Sequence, residues 1–192
     1  MEKVQPIRQL DQIARIKRNL KQEKSAALYA LFAVGINTNL RVSDLLNLTW
    51  GQVWAEGTTD LCNHIYLREQ KTGKARRIKI NKNIPEALAF LLEQIPAPKA
   101  DDPIFRNRVT RKAYHRSYIA RRIKEEARKV GIQDPIAVHS LRKTWGYHAI
   151  KTFHQPLVLV QAAFNHATQQ QTMDYLCLTD DDIEIVHETV VL

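Results

Sequence analysis

The sequence is poor in the residues that build staples, metal sites and membrane spans. It has two cysteines, Cys62 and Cys177, with no CxxC pair and no spaced Cys/His set. That excludes a disulfide framework and a structural zinc site, and it fits a reducing cytoplasm. Long apolar runs are also missing. The longest, Ala26 to Ile36, is too short to cross a bilayer, and the opening Met-Glu-Lys-Val carries no stretch suited to a signal peptide, so no membrane role is expected. Acid is the scarcer sign of charge: 20 Asp and Glu stand against 29 Lys and Arg, a formal net charge of +9. A polyanionic partner is implied, nucleic acid ahead of an acidic membrane surface. Internal repeats and low-complexity tracts are absent, and 192 residues, 44% of them hydrophobic, suit a single domain over 1–192.

Hydrophobic spacing divides the chain into helices around one hairpin. Ile7, Leu10, Ile13, Ile16 and Leu20 recur at three- and four-residue steps and predict an amphipathic helix. Ser25 is placed to cap a second helix to about Gly35, apolar nearly all round and therefore buried. Leu40 to Leu48 repeats the helical spacing, with Arg41 and Asp44 on its polar side. The period then changes to two: His64 to Glu69 and Ala75 to Ile80 alternate as strands, and Lys71-Thr72-Gly73-Lys74 supplies a basic turn between them. Pro85 opens a helix over Glu86 to Ile95, and Pro96-Ala97-Pro98 breaks the chain in a surface loop. Arg106 to Lys129 holds ten Lys or Arg and two acids, with Tyr114, Tyr118 and Ile119 at helical spacing and Gly131 as the stop. Further helices are predicted over His139 to Lys151 and Leu157 to Phe164, followed by a segment from Thr168 through Tyr175. The final stretch, Asp180 to Leu192, has the spacing of a small amphipathic helix through Ile183, Val186 and Val190.

His139 and Arg142 lie three apart, hence on one helix face near an N-terminus that favours an anion. The pair gains meaning from its company. Arg41 follows an apolar helix, Lys71 sits at the hairpin tip, His166 ends Phe164-Asn165-His166, and Tyr175 follows nine residues later. The run Asp180-Asp181-Asp182 does not suit a two-metal nuclease, because adjacent carboxylates point different ways. His64, His115, His148, His154 and His187 match no such role and read as structural or surface residues.

With these motifs, over essentially its whole length, the chain resembles the tyrosine recombinase (phage integrase) family, and within it the short members with only a catalytic domain. The likeness rests on Gly35 to Leu46, Lys71-Thr72-Gly73-Lys74, His139 to His148, and Phe164-Asn165-His166 through Tyr175. It implies an α+β fold, mainly α-helical with a small antiparallel β-sheet, and an active site of Arg41, Lys71, His139, Arg142, His166 and Tyr175. Where many members have Gly before the second histidine this chain has Asn165, and where many have Glu it has Asp44, a carboxylate expected to orient Arg41. The activity implied is site-specific DNA cleavage and rejoining through a 3′-phosphotyrosine, without metal or cofactor. The alternatives are a type IB topoisomerase-like relaxing enzyme and a non-catalytic DNA-binding regulator.

The chemistry suits these residue types. Two guanidiniums and a histidine around a phosphodiester stabilise the charge that gathers on its non-bridging oxygens as a nucleophile adds. A cationic pocket is expected to lower the cost of the tyrosine phenolate. Lys71 is expected to protonate the leaving 5′-oxygen, with Lys74 as the competing candidate in the same turn, while His139 manages the tyrosine proton. Lys74, Arg76, Lys79, Arg111, Lys112 and Arg121 are expected to meet DNA phosphates. The partner is then double-stranded DNA carrying recombination sites. Only 40 residues precede Arg41, fewer than a separate clamping domain needs, so weak binding by the isolated chain is expected, with four protomers on two sites or accessory DNA-bending proteins. The Asp180 to Leu192 tail is a candidate for exchange between protomers, the alternative being an autoinhibitory or structural helix folded back on its own domain.

Overall fold

In the computed structural model, which describes all residues except 1, 2, 24, 56, 57, 59, 180, 181, 183, 185–187, 190 and 192, burial follows the sequence periodicity. The first helix, α1 (Leu10–Gln22), buries Ile13, Ile16 and Leu20 and leaves its basic face to solvent. The next, α2 (Ala26–Thr38), is buried along nearly its whole length, as a helix apolar on every side must be. Ser25 does stand at its N-terminus, but the hydroxyl makes no capping bond; only its backbone carbonyl enters the helix, accepting from Tyr29 N–H. α3 (Val42–Leu46) is shorter than its leucine spacing predicts. Beyond it the Leu48 carbonyl is drawn out to accept from Ile104 N–H, so Leu48 reaches the core as extended chain.

The hairpin forms as expected. β1 (His64–Arg68) and β2 (Ala75–Lys79) are antiparallel, with Arg68 opposite Ala75 beside the turn. Gly73 turns there at φ +67, and its N–H donates to the Glu69 carbonyl. α4 (Asn83–Leu92) starts before Pro85, which falls in the first turn where its missing N–H costs nothing. The basic stretch is only partly helical: α5 (Arg116–Lys129) begins at His115, whose ring Nδ1 accepts from Ser117 N–H, and residues 106–115 form a loop closed by an Arg106–Ala113 bridge. α6 (Val138–Lys151), α7 (Leu157–Phe164) and α8 (Gln169–Leu176) follow.

Two apolar clusters divide the molecule, and α6 stands between them. Leu141 belongs to the large core built on α2, whereas Trp145, Ala149 and Ile150 pack on the small cluster of Val160, Phe164 and Leu176. Gly146 permits this closeness: a Cβ there would sit 2.5 Å from the Phe164 ring and 2.7 Å from Leu176. The second cluster carries Tyr175, so the approach of α6 to α7 and α8 sets the position of that side chain. The apolar stripe expected at Ile183, Val186 and Val190 lies outside the described residues. Asp182 accepts from Thr179 N–H and pairs with Lys151 at 2.8 Å. Among the described residues, no helix is long and apolar enough to cross a membrane.

Candidate active site

Five segments far apart in sequence meet at one open cavity of about 720 Å³. Its lining includes Arg41, Lys71, His139, Arg142, His166 and Tyr175. Arg41 enters from the N-terminus of α3, Lys71 from the hairpin turn, His139 and Arg142 from the first turns of α6, His166 just beyond α7, and Tyr175 from the last turn of α8. Asn165 takes the left-handed conformation, φ 57, that lets the chain leave α7 and present His166. Asparagine tolerates that backbone better than most side chains, which accounts for its use where glycine is common.

The two arginines are held differently. Arg41 Nη1 pairs with Glu69 Oε2 at 2.5 Å, and Arg76 Nη1 pairs with the other carboxylate oxygen at 2.7 Å. Thr72 donates its hydroxyl to Glu69 at 2.7 Å, and Arg76 also donates to Asn39 Oδ1 at 2.8 Å. Asp44 does not hold Arg41 as expected: its carboxylate accepts instead from Gln70 N–H at 2.9 Å and so anchors the hairpin. Burial pushes the Glu69 carboxyl up, but Thr72 and the two guanidiniums outweigh it and hold the pKa at about 2. Arg76 is thus removed from the expected DNA-facing set. Its side chain is 14% exposed and neutralises Glu69, because a carboxylate buried this deeply must be paired.

Arg142 is 5% exposed. Its Nη2 donates to the Phe164 carbonyl at 3.1 Å, and the guanidinium lies 4.9 Å from the Phe164 ring centroid and 5.8 Å from that of Tyr175. Its Nε is buried without a hydrogen-bond partner. Burial lowers its pKa to about 10, which leaves it charged at neutral pH.

Tyr175 is packed among Phe164, His166 and the Lys143 ammonium, 5.0 Å from its ring centroid. Lys143 is itself buried and donates to the Val4 carbonyl. The expected ease of ionisation at Tyr175 is not met in the free protein. Burial raises the phenol's pKa, and Arg142 and Arg41 offset it only in part. His139 and His166 are both pushed down, first by burial and then by neighbouring arginines, which favours the neutral form of each ring. His139 Nε2 lies 2.9 Å from Arg116 Nη2, an arrangement in which the guanidinium donates to the ring.

At the hairpin tip the two lysines separate. Lys71 lines the cavity, whereas Lys74 Nζ donates to Asn165 Oδ1 at 3.1 Å and ties the turn to the end of α7. Lys79, Arg111, Lys112 and Arg121 are exposed, Arg111 and Arg121 beside Asp102 and Glu125 at 3.4 Å each. Glu69 and Arg116 were missed by sequence reasoning. The one signal for Glu69 is that it is the only acid in the hairpin from His64 to Ile80. Arg116 is indistinguishable by sequence from its basic neighbours. Among the described residues, no group of three or more His, Cys, Asp or Glu could hold a metal ion.

The chain matches the phage integrase family over residues 7–181. It is 33% identical over 184 residues to a probable integrase/recombinase, YoeC, of Bacillus subtilis (strain 168), covering 94% of this chain and 93% of that one. Its fold is similar to the crystal structure of XerA recombinase, with a TM-score of 0.75 at 21% identity, over 100% of this chain and 66% of that one. A lambda integrase tetramer bound to a Holliday junction gives 0.70 at 18% identity, over 96% of this chain and 52% of that one. The chain therefore spans about half to two thirds of these solved recombinases.

Proposed function

The chain belongs to the phage integrase family of tyrosine recombinases, and we propose that it cleaves and rejoins specific sites in double-stranded DNA with Tyr175 as nucleophile. The observation that carries this reading is one cavity lined by Arg41, Lys71, His139, Arg142, His166 and Tyr175. In the proposed step the Tyr175 oxygen attacks the scissile phosphorus while neutral His139 takes the phenol proton on Nε2, which Arg116 releases as the phosphate draws that guanidinium away. Arg41, Arg142 and His166 stabilise the charge that builds on the non-bridging oxygens. The bond to the 5′-oxygen breaks, Lys71 protonates that oxygen, and a 3′-phosphotyrosine remains. Attack by a 5′-hydroxyl of a second strand reverses the step with no external energy, because the ester has been exchanged and not hydrolysed. Since burial keeps the free phenol protonated, ionisation is coupled to arrival of the phosphate and to proton transfer.

Strand exchange requires two cleaved duplexes, so the working form is four protomers on two sites, with accessory DNA-bending proteins as a further possible requirement. The test starts from a library of nicked duplexes of randomised sequence, with captured members recovered as SDS-resistant adducts. Wild-type protein is expected to form adducts, and Tyr175→Phe to form none while still shifting DNA in a gel. An adduct that survives Tyr175→Phe removes Tyr175 from the role. Relaxation of a supercoiled plasmid lacking the selected sequence would point to the topoisomerase alternative.

A further inference from the structure

Glu69 is a buried acid that pairs with Arg41 behind a cavity proposed to bind a phosphate, and its placement answers why a carboxylate is tolerated there. It is 2% exposed and terminates β1. Its backbone closes the hairpin turn: the N–H donates to the Lys74 carbonyl at 3.0 Å and the carbonyl accepts from Gly73 N–H at 2.8 Å. Its side chain faces three ways, to Arg41 Nη1 in front of α3, to Arg76 on β2, and to the Thr72 hydroxyl beside Lys71. Asp44, in α3, fastens the same turn from the other side through Gln70 N–H. The hairpin turn and the N-terminus of α3 are therefore joined twice, and the Glu69 junction carries Arg41 itself.

We propose that Glu69 is the positioning residue that sets Arg41 and the Lys71 turn as one unit, so that the guanidinium and the ammonium reach the scissile phosphate in a fixed relation. The inference rests on the recombinase reading above. Its physical basis is that a guanidinium has five donors in a planar fork; anchoring one edge on a buried carboxylate fixes the direction of the remainder. A carboxylate shared by Arg41 and Arg76 also leaves one net positive charge in place of two, which eases their crowding beside Arg142. Thr72 extends the same anchor to the turn. Reach without direction is of little use in phosphoryl transfer, where a misplacement of ~1 Å costs about a hundredfold in rate.

The test compares rates of SDS-resistant adduct formation on the selected nicked duplex, with the scissile linkage either all-oxygen or 5′-bridging phosphorothiolate, whose sulfur leaves without a proton. Thr72→Val, a change at an exposed turn, is expected to slow the all-oxygen substrate and to recover on the sulfur substrate, because it disturbs only the Lys71 side. Glu69→Gln is expected to slow both substrates, by about a hundredfold. In an Arg41→Ala background it is expected to add little further loss, since its effect passes through Arg41. If the two losses multiply, or if the sulfur substrate fully rescues Glu69→Gln, the inference is overturned while the recombinase reading stands. Should Glu69→Gln not fold, the same cycle is run with Glu69→Asp, which keeps the charge and withdraws it from Arg41. Failure of the wild-type protein to form any adduct instead defeats the recombinase reading, and the inference with it.

Discussion

Arg41 and Arg142 face the same cavity, yet the fold stabilises their charges by opposite means. Arg41 is neutralised at short range by Glu69, and its partners lie on the hairpin. Arg142 has a backbone carbonyl and two aromatic rings around it in place of a carboxylate; each guanidinium has one buried nitrogen without a hydrogen bond, but at Arg41 that nitrogen, Nη1, faces the Glu69 carboxylate, whereas at Arg142 Nε faces no acid among the described residues. An ion pair keeps its geometry whether or not DNA is present. A buried, under-satisfied guanidinium is a donor set waiting for an acceptor, and its desolvation is a cost the folded protein carries until a phosphate arrives. Under the proposed function, the first arrangement supplies direction and the second supplies affinity for the reacting group. Such division of labour is what differential stabilisation requires, since the interaction strengthened most on reaching the transition state is the one least satisfied beforehand.

Replacing Arg142 breaks the comparison most severely. Arg142→Met is expected to lower the cleavage rate by at least 10²–10³-fold, about 3–4 kcal/mol, because it removes the donors that the proposed step directs at the phosphate. The same change is expected to leave the stability of the free protein nearly unchanged, because the loss of the donor to the Phe164 carbonyl is offset by replacing a buried charge that has no carboxylate partner with an apolar side chain of similar length. Thermal melting together with adduct kinetics measures both. A fall of several degrees in the melting temperature would show that Arg142 is satisfied structurally and that the contrast with Arg41 is false.

The Arg41 side gives the next effect, and it lies in stability. The Glu69 pKa is about 2 in the fold against an ordinary 4.5, so the carboxylate contributes stability that is fully present above about pH 4.5 and is lost as pH falls towards 2. The shift corresponds to about 3 kcal/mol. Other depressed carboxyls titrate in the same range, among them Glu23, Asp102 and Asp182. The difference between wild type and Glu69→Gln isolates the one group. Urea unfolding is expected to show the wild-type advantage at pH 6 shrinking steadily below pH 4.5, and a gap independent of pH would remove the ion pairs as its source.

The same contrast explains what could be read from the sequence. Apolar spacing located α2, α6 and α7 closely, and α1 except for its start, which falls at an exposed Leu10 and not at Ile7; the segment holding α8 was marked without being read as a helix. Alternation located both strands, and the basic turn located Lys71. Arg142 was legible because it shares a helix face with His139 at a fixed spacing. Its counterpart's support was not, because Arg41 meets Glu69 across 28 residues of chain through the hairpin's register, which no local pattern encodes. Arg76 was misassigned for the same reason: in a basic strand, the one arginine turned inward looks like those turned outward until the buried acid beside it is known. The loop over 106–115 escaped the helical reading because Tyr114 and Tyr118, four apart, stack at 5.1 Å from either side of the cap at His115, which imitates a helical pair.

The smallest effect sharpens the comparison at its edge, where a third arginine tunes a base in the free protein. Arg116 Nη2 lies 2.9 Å from His139 Nε2 and, after burial, is the leading cause that lowers this histidine's pKa, with Arg142 and Lys143 adding to it. A histidine that must accept the tyrosine proton works only when neutral, so cleavage is expected to fail on the acid side as His139 becomes protonated, at a pH below its ordinary 6.5. Arg116→Ala removes one of the cations holding the proton off. The folded pKa then moves up towards 6.5, and the acid limb of the profile moves up with it. The quantity to follow is the second-order rate constant at subsaturating DNA, because that limb reports the free protein and is unaffected by groups titrating only in the complex. Arg116→Lys, which keeps the charge, should hold the limb near the wild-type position even if DNA affinity falls. An acid limb that stays put in Arg116→Ala, or moves to lower pH, would mean that His139 is not the group being titrated and that its proton role belongs to His166, whose pKa is also pushed down by burial and whose ring centroid lies 5.2 Å from that of Tyr175.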